Sequence, residues 1–392
     1  MPPLLRTSCV ALATLGLVAA QGQARQEKAP PWPQFRGFAN HTAASAAAAP
    51  RTGAVAWSAQ IGSGLYSSPA VGADGTVFYG TYDKRVVAIR PPAPGGGGGG
   101  GALAWSFPVG NIIDASPAVG ADGTVYVADH DSTLWAVRAG ALVWQRPIGF
   151  ADVSSVALND GVLYLAAYLS LLAVRAADGA LVWRWTADTK LERSSPAVGP
   201  DGATVYVGGC GRLYAVRNAT LLWAITLGGN NEDNVLSSPA VGRDGTVYVS
   251  STSGSVYAVR PPAAGGDAVG TLLWSLATGG PCYSSVALAP DGSVVVGSYD
   301  QLLWILRPNG TVARRYNTGV PVSSSPAVSA DGIAFIGAND LLAINTTDGT
   351  LLWRAAVNVD VQNQSPAVGA DGTVIVTGIG GVIAVGAGGA GD

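Results

Sequence analysis

Charge is scarce in this chain: only 12% of its 392 residues are Asp, Glu, Lys or Arg, and the formal net charge is −3. No basic run and no acidic tail occurs, which argues against nucleic acid, whose binding rests on clustered Lys and Arg. Histidine is down to His41 and His130, and cysteine to Cys9, Cys210 and Cys282. Without a Cys-x-x-Cys or a Cys/His cluster, nothing supports a zinc site. No Ser/His/Asp set stands out either. A sustained helical period is missing throughout, which points away from helical folds. Long apolar runs are missing too: Cys9–Ala20 (CVALATLGLVAA) is the longest candidate, and it falls short of the roughly 20 residues that a membrane-spanning helix needs.

What is present begins with that short run. Arg6, the apolar stretch and the small residues around Ala20 and Ala24 read as an export signal over residues 1–24. Cys9 sits in no lipoprotein-type cleavage box, so the expected product is exported and unanchored, as a monomer. Residues 25–52 form an N-terminal arm. Acceptor triplets for N-glycosylation stand at Asn40, Asn218, Asn309 and Asn345, with a fifth at Asn363 disfavoured by Pro366.

Glycine is abundant, at 54 residues, and its use is periodic. Aligning on the Ser before Pro or Val gives Ser68, Ser116, Ser155, Ser195, Ser238, Ser285, Ser325 and Ser365, at intervals of 48, 39, 40, 43, 47, 40 and 40 residues. A period near 40 made only of strand-like segments is the signature of propeller blades. In one unit SPAVG (116–120) is strand A, TVYVA (124–128) strand B, LWAVR (134–138) strand C and ALVWQRPIG (141–149) strand D. Between A and B every repeat has Asp-Gly, from Asp74 to Asp371, a hairpin-turn pair rather than a calcium ligand. The proline of strand A fits an innermost strand whose channel edge lacks a partner.

The fold class is therefore all-β, a single eight-bladed propeller with four-stranded blades over residues 53–386, followed by a tail at 387–392. The last repeat lacks its outer strand, and GAVAWSAQIG (53–62) supplies one, so the N-terminal strand closes the C-terminal blade. An exported Cys210 and Cys282 could form a disulfide, but they then lie about two blades apart, so two free thiols are at least as much to be expected.

The outer strands carry Trp57, Trp105, Trp144, Trp183, Trp223, Trp274 and Trp353, expected to dock each blade on its neighbour; blade six has Arg314 instead and is expected to pack more loosely. With the LYAVR/LWAVR strands these residues resemble the tryptophan-docking repeats of the pyrroloquinoline-quinone (PQQ)-like propellers. The opening Trp32-Pro33-Gln34-Phe35-Arg36-Gly37 is similar to the lead-in of family members akin to the assembly factor BamB. The resemblance implies, for enzymatic members, PQQ and calcium over the channel, a catalytic Asp and a bridge between adjacent cysteines. This chain has no Cys-Cys pair and no EF-type loop, so no cofactor is required by its sequence and no catalytic residue is assigned.

Topology narrows the search for a site. A–B and C–D turns share one face, while the varied D–A and B–C loops share the other, where binding is expected. Candidates there are Tyr66, Asp114, Asp152, Glu192, Arg193, Asn231, Asp233, Tyr283 and Gln362, giving a mildly acidic mouth; Asp129, His130 and Asp131 are the local metal candidates. Three readings remain open: a non-catalytic exported scaffold for a protein or glycan, a PQQ-dependent oxidoreductase, and a BamB-like membrane-protein assembly factor.

Overall fold

The computed structural model describes residues 31–61, 67–93, 99–149, 154–191, 194–228, 236–263, 269–357, 361–378 and 381–386. Each blade starts from its Asp-Gly turn. The eight turn glycines all take positive φ, between 67° and 84°, which a side chain resists. In six of the eight the Asp is consumed by the turn: Asp122 accepts the Thr124 N–H at 3.0 Å and its hydroxyl at 2.8 Å, Asp74, Asp244, Asp371 and Asp201 do the same with their threonines, and Asp291 with Ser293. These carboxylates serve the turn.

Eight four-stranded antiparallel sheets result. In blade two the strands are Ala118–Val119, Val125–Ala128, Thr133–Arg138 and Ala141–Pro147. Strand A is shorter than SPAVG because Pro117 has no N–H and the Ser116 N–H goes to the next blade, donating to Ser155 Oγ at 3.0 Å. Closure is as expected: Val55–Ala59 pairs antiparallel with Gly381–Val385, with Trp57 opposite Ala384. Among the described residues there is no helix, and so none long and apolar enough to cross a membrane.

Each outer strand carries a β-bulge just before its docking position. In blade one Ala88 faces Trp105 and Ile89 faces Leu103, leaving Ala104 as the extra residue; the same shift recurs in the other seven blades. The bulge lets the leucine two residues earlier face solvent, as Leu103, Leu142 and Leu272 do, while the Trp turns into the ring. There it meets the residue four positions before the next blade's Trp. A Cβ on Gly179 would lie 2.7 Å from the Trp144 ring, and one on Gly310 would lie 2.5 Å from Trp274. In six blades the Trp also packs on an aromatic of its own strand B, as Tyr126 on Trp144 at 5.9 Å. Arg314 takes the Trp position of blade six with its aliphatic stem against Gly349, whose Cβ would lie 3.2 Å from the Arg314 Cβ.

A second circle ties the blades together near the axis. Ser68 donates its N–H to Ser116 Oγ, Ser116 to Ser155, Ser155 to Ser195 and Ser195 to Ser238; Ser285 donates to Ser325, Ser325 to Ser365 and Ser365 back to Ser68, all at 2.9–3.2 Å.

The channel edge of strand A is not unpaired, contrary to the reading of its proline. The arm lies along it. Val71, Val119, Val198, Val241, Leu288 and Val328 donate their N–H groups to the carbonyls of Trp32, Pro33, Ala39, Asn40, Thr42 and Ala43 at 2.7–2.9 Å, and Leu158 donates to the Gln34 side chain at 2.6 Å. Seven blades are thus touched in order by twelve residues of chain. An edge N–H in a narrow channel has too little water to satisfy it, so a polar segment that supplies carbonyls relieves the cost. Trp32, Gln34, Arg36 and His41 are buried in the process. The arm seats at the second residue of strand A and therefore closes the channel from the Asp-Gly face.

Candidate functional site

What the arm leaves open is the other end. A cavity of about 450 Å³ occupies the axis on the D–A/B–C side, with Phe35 of the arm in its lining. Its wall is the serine circle: all eight of Ser68, Ser116, Ser155, Ser195, Ser238, Ser285, Ser325 and Ser365 line it. Seven of these oxygens accept an N–H from the preceding blade, so the hydroxyl proton and one lone pair of each remain for the cavity. In six blades the residue before the lining serine is also a serine, and that one serves another end. Ser154, Ser194, Ser284 and Ser324 accept N–H groups from the end of their own strand B at 2.8–3.0 Å.

The mouth is made by loops. Asp114, in the D–A loop entering blade two, meets His130 of that blade's B–C turn, Nε2 to Oδ2 at 2.8 Å, and both side chains line the cavity. Tyr283 stands across the axis on the loop into blade six, 45% exposed, with its ring 4.8 Å from Tyr299. Ser323 and Asn363 complete this side, the Ser323 hydroxyl donating to Asn363 Oδ1 at 3.0 Å or to the Gln362 carbonyl at 2.6 Å.

Of the expected candidates, the structure brings Asp114 and Tyr283 to the cavity and sets Gln362 beside it, its amide donating to Asn339 at 3.0 Å. Tyr66, Asp152, Glu192, Arg193, Asn231 and Asp233 lie outside the described residues. The Asp129–His130–Asp131 run is split in purpose. Asp129 is buried and accepts from the Thr133 N–H at 2.9 Å and Trp135 Nε1 at 2.9 Å, while Asp131 accepts from the Asn111 amide at 2.6 Å. Only His130 faces the cavity. Among the described residues no three His, Cys, Asp or Glu side chains are placed to share a metal. Sequence reading missed the serines, although they were the alignment anchor: repetition made them look structural, and only ring closure turns eight of them on one space.

Below the cavity the arm carries two buried basic groups. Burial pulls the Arg36 guanidinium down to about 9, and its Nη1 donates to the Ser238 carbonyl at 3.4 Å. His41 is pulled down to about 3, by burial first and by the neighbouring Arg36 second. Cys282 is buried too, which pushes its thiol up to about 11, and neither Cys210 nor Cys282 is in a disulfide. A thiol held protonated is a poor nucleophile.

Neither PQQ nor calcium fits the described lining. PQQ is a flat tricarboxylate that needs cations, yet no Lys or Arg is among the described lining residues. A calcium ion takes about six to eight oxygens, several of them carboxylates, and the single carboxylate among the described lining residues is already held by His130.

The family model described as "Outer membrane protein assembly factor BamB" matches residues 98–316 and 267–389. Among solved structures, BamB from Moraxella catarrhalis superposes with a TM-score of 0.65 at 16% identity, over 85% of this chain and 96% of that one. A europium-containing methanol dehydrogenase gives 0.69 at 13% identity over 90% of each chain. The quinohemoprotein alcohol dehydrogenase from Comamonas testosteroni gives 0.69 at 14%, over 94% of this chain and 82% of that one. At such identities the likeness is one of fold. A search of curated proteins finds no match.

Proposed function

The chain belongs to the family described as outer membrane protein assembly factor BamB, and from that premise we propose that it is an exported, non-catalytic scaffold that holds a protein partner on its D–A/B–C face. One observation carries the reading. Tyr82, Tyr168, Tyr283 and Tyr299 are the exposed tyrosines of the described residues, and all four stand on this face: three in B–C turns, and Tyr283 in a D–A loop. Tyrosine brings large contact area at low entropic cost and is enriched where proteins meet. Among the described residues the opposite face, with its Asp-Gly and C–D turns and the seated arm, carries no exposed tyrosine. The family description names an assembly factor, a role played through protein partners.

The test is a binding assay of the mature chain against proteins of the exported compartment and outer membrane, repeated with a Tyr82→Ala/Tyr168→Ala variant. Both side chains are exposed, so the fold should survive. A stoichiometric complex weakened at least tenfold by the pair, and untouched by Arg243→Ala on the Asp-Gly face, is the expected outcome. Substrate-dependent dye reduction after addition of PQQ and calcium would instead make the protein an oxidoreductase and overturn the proposal.

A further inference from the structure

The geometry points to a second ligand, distinct from any protein partner: the axial well takes one neutral, hydroxyl-rich ring, a sugar residue. The argument runs through what the lining can and cannot satisfy. A volume of about 450 Å³ lies within the range of about 300–1,000 Å³ usual for small-molecule sites, but such sites are mostly apolar and aromatic. This one is walled by serines, so an apolar ligand would strand hydroxyl groups against a surface unable to pair them. Among the described residues an anion would face Asp114 with no Lys or Arg in the lining, and Arg36 is sealed beneath by burial. A bare cation would find one carboxylate among them, already engaged by His130 at 2.8 Å.

A sugar needs what remains. Its hydroxyls both donate and accept, as do the serine oxygens once each has taken an N–H from its neighbour. Asp114, oriented by His130, accepts from ring hydroxyls at the mouth. Tyr283, braced by Tyr299 at 4.8 Å, offers an aromatic face to the apolar C–H side of the same ring. Buried serine donors, a positioned carboxylate and a braced exposed tyrosine therefore converge on one space, on three different blades or more. The well closes at the bottom, where Phe35 forms part of the lining, so the ligand enters from the mouth and only a chain end fits. Free monosaccharides and the terminal residue of a longer glycan share this chemistry.

The test uses the whole mature protein. Saturation-transfer NMR and calorimetry with a panel of methyl pyranosides, alongside an array of glycans differing in their terminal residue, should find selective binding. If methyl glycosides suffice, the free sugar is the ligand; if only array members bind, it is the glycan end. Tyr283→Ala and Asp114→Asn should each weaken binding at least tenfold while leaving the melting temperature unchanged, because both side chains are exposed. Tyr82→Ala/Tyr168→Ala, which breaks the protein face, should leave sugar binding intact, so the two proposals fail separately. No saturable sugar signal, tighter binding of citrate or phosphate than of any glycoside, or binding indifferent to both well variants would overturn the inference.

Discussion

His41 is buried beside a guanidinium, and its ring resists a second proton until about pH 3. The unfolded chain takes up that proton near pH 6.5, so between the two values the unfolded state binds more protons and acid favours it. The stability that His41 contributes is fully present above pH 6.5 and is lost progressively as the pH falls from there towards 3. Melting curves at pH 7 and pH 5 should therefore show a drop for the wild type that shrinks in His41→Gln. Equal drops would mean that the imidazole does not titrate in this window. The docking glycines make a second prediction at the same scale. Gly179 has φ +71° and its Cβ would meet Trp144, so Gly179→Ala should cost more than about 1 kcal/mol in denaturant titrations. Arg314→Trp should do the reverse and raise stability by about 1 kcal/mol, since Gly349 already leaves room where the other blades seat an indole.

Among elements, the arm and the blade contrast. The blade is legible because its signals are local and repeated: Asp-Gly within a turn in all eight blades, tyrosine or phenylalanine on strand B in six, and Trp four residues after Gly or Ala in seven. The arm repeats nothing, and its bonds reach from Gln34 to Leu158 and from Ala43 to Val328, so no window of sequence contains both partners. The bulges were hidden for another reason. They change which face a residue takes without changing the spacing that a reader counts. The site was half legible. Asp114 and Tyr283 could be reached by asking which loops enter strand A, but the serine wall and the Phe35 contribution exist only once the ring is shut. If the arm does pair the inner edges, deleting residues 25–50 should lower the melting temperature and release the amides of Val71, Val119, Val198, Val241, Leu288 and Val328 to hydrogen exchange. Protection unchanged at those six amides would show that the channel edge is satisfied without the arm.

At the scale of the whole molecule, the ring is held by side chains at two radii, tryptophan outside and serine inside, and by one strand exchange between its ends. Nothing in that arrangement privileges the natural termini except the path of the arm. A circular permutant opened in the C–D connection of blade five, with residue 386 linked to the arm, should fold with a near-native melting temperature. Opening it between the first strand and the arm should not, because the arm would then lose its tether at Pro50, whose carbonyl accepts from Trp353 Nε1 at 2.8 Å.

The arm also imposes an order in time. Residues 31–50 leave the ribosome before the blades do, yet the edges on which they settle are complete only when Val328 has arrived, and the outer strand beside them waits for residues 381–385. Through almost the whole of its own production the chain therefore carries its keystone loose at the front. Any truncated product, however many good blades it contains, would lack the partner of its first strand. A chain stopped one blade early, lacking residues 381–385 to pair with Val55–Ala59, should therefore be cut by protease faster than the full-length chain.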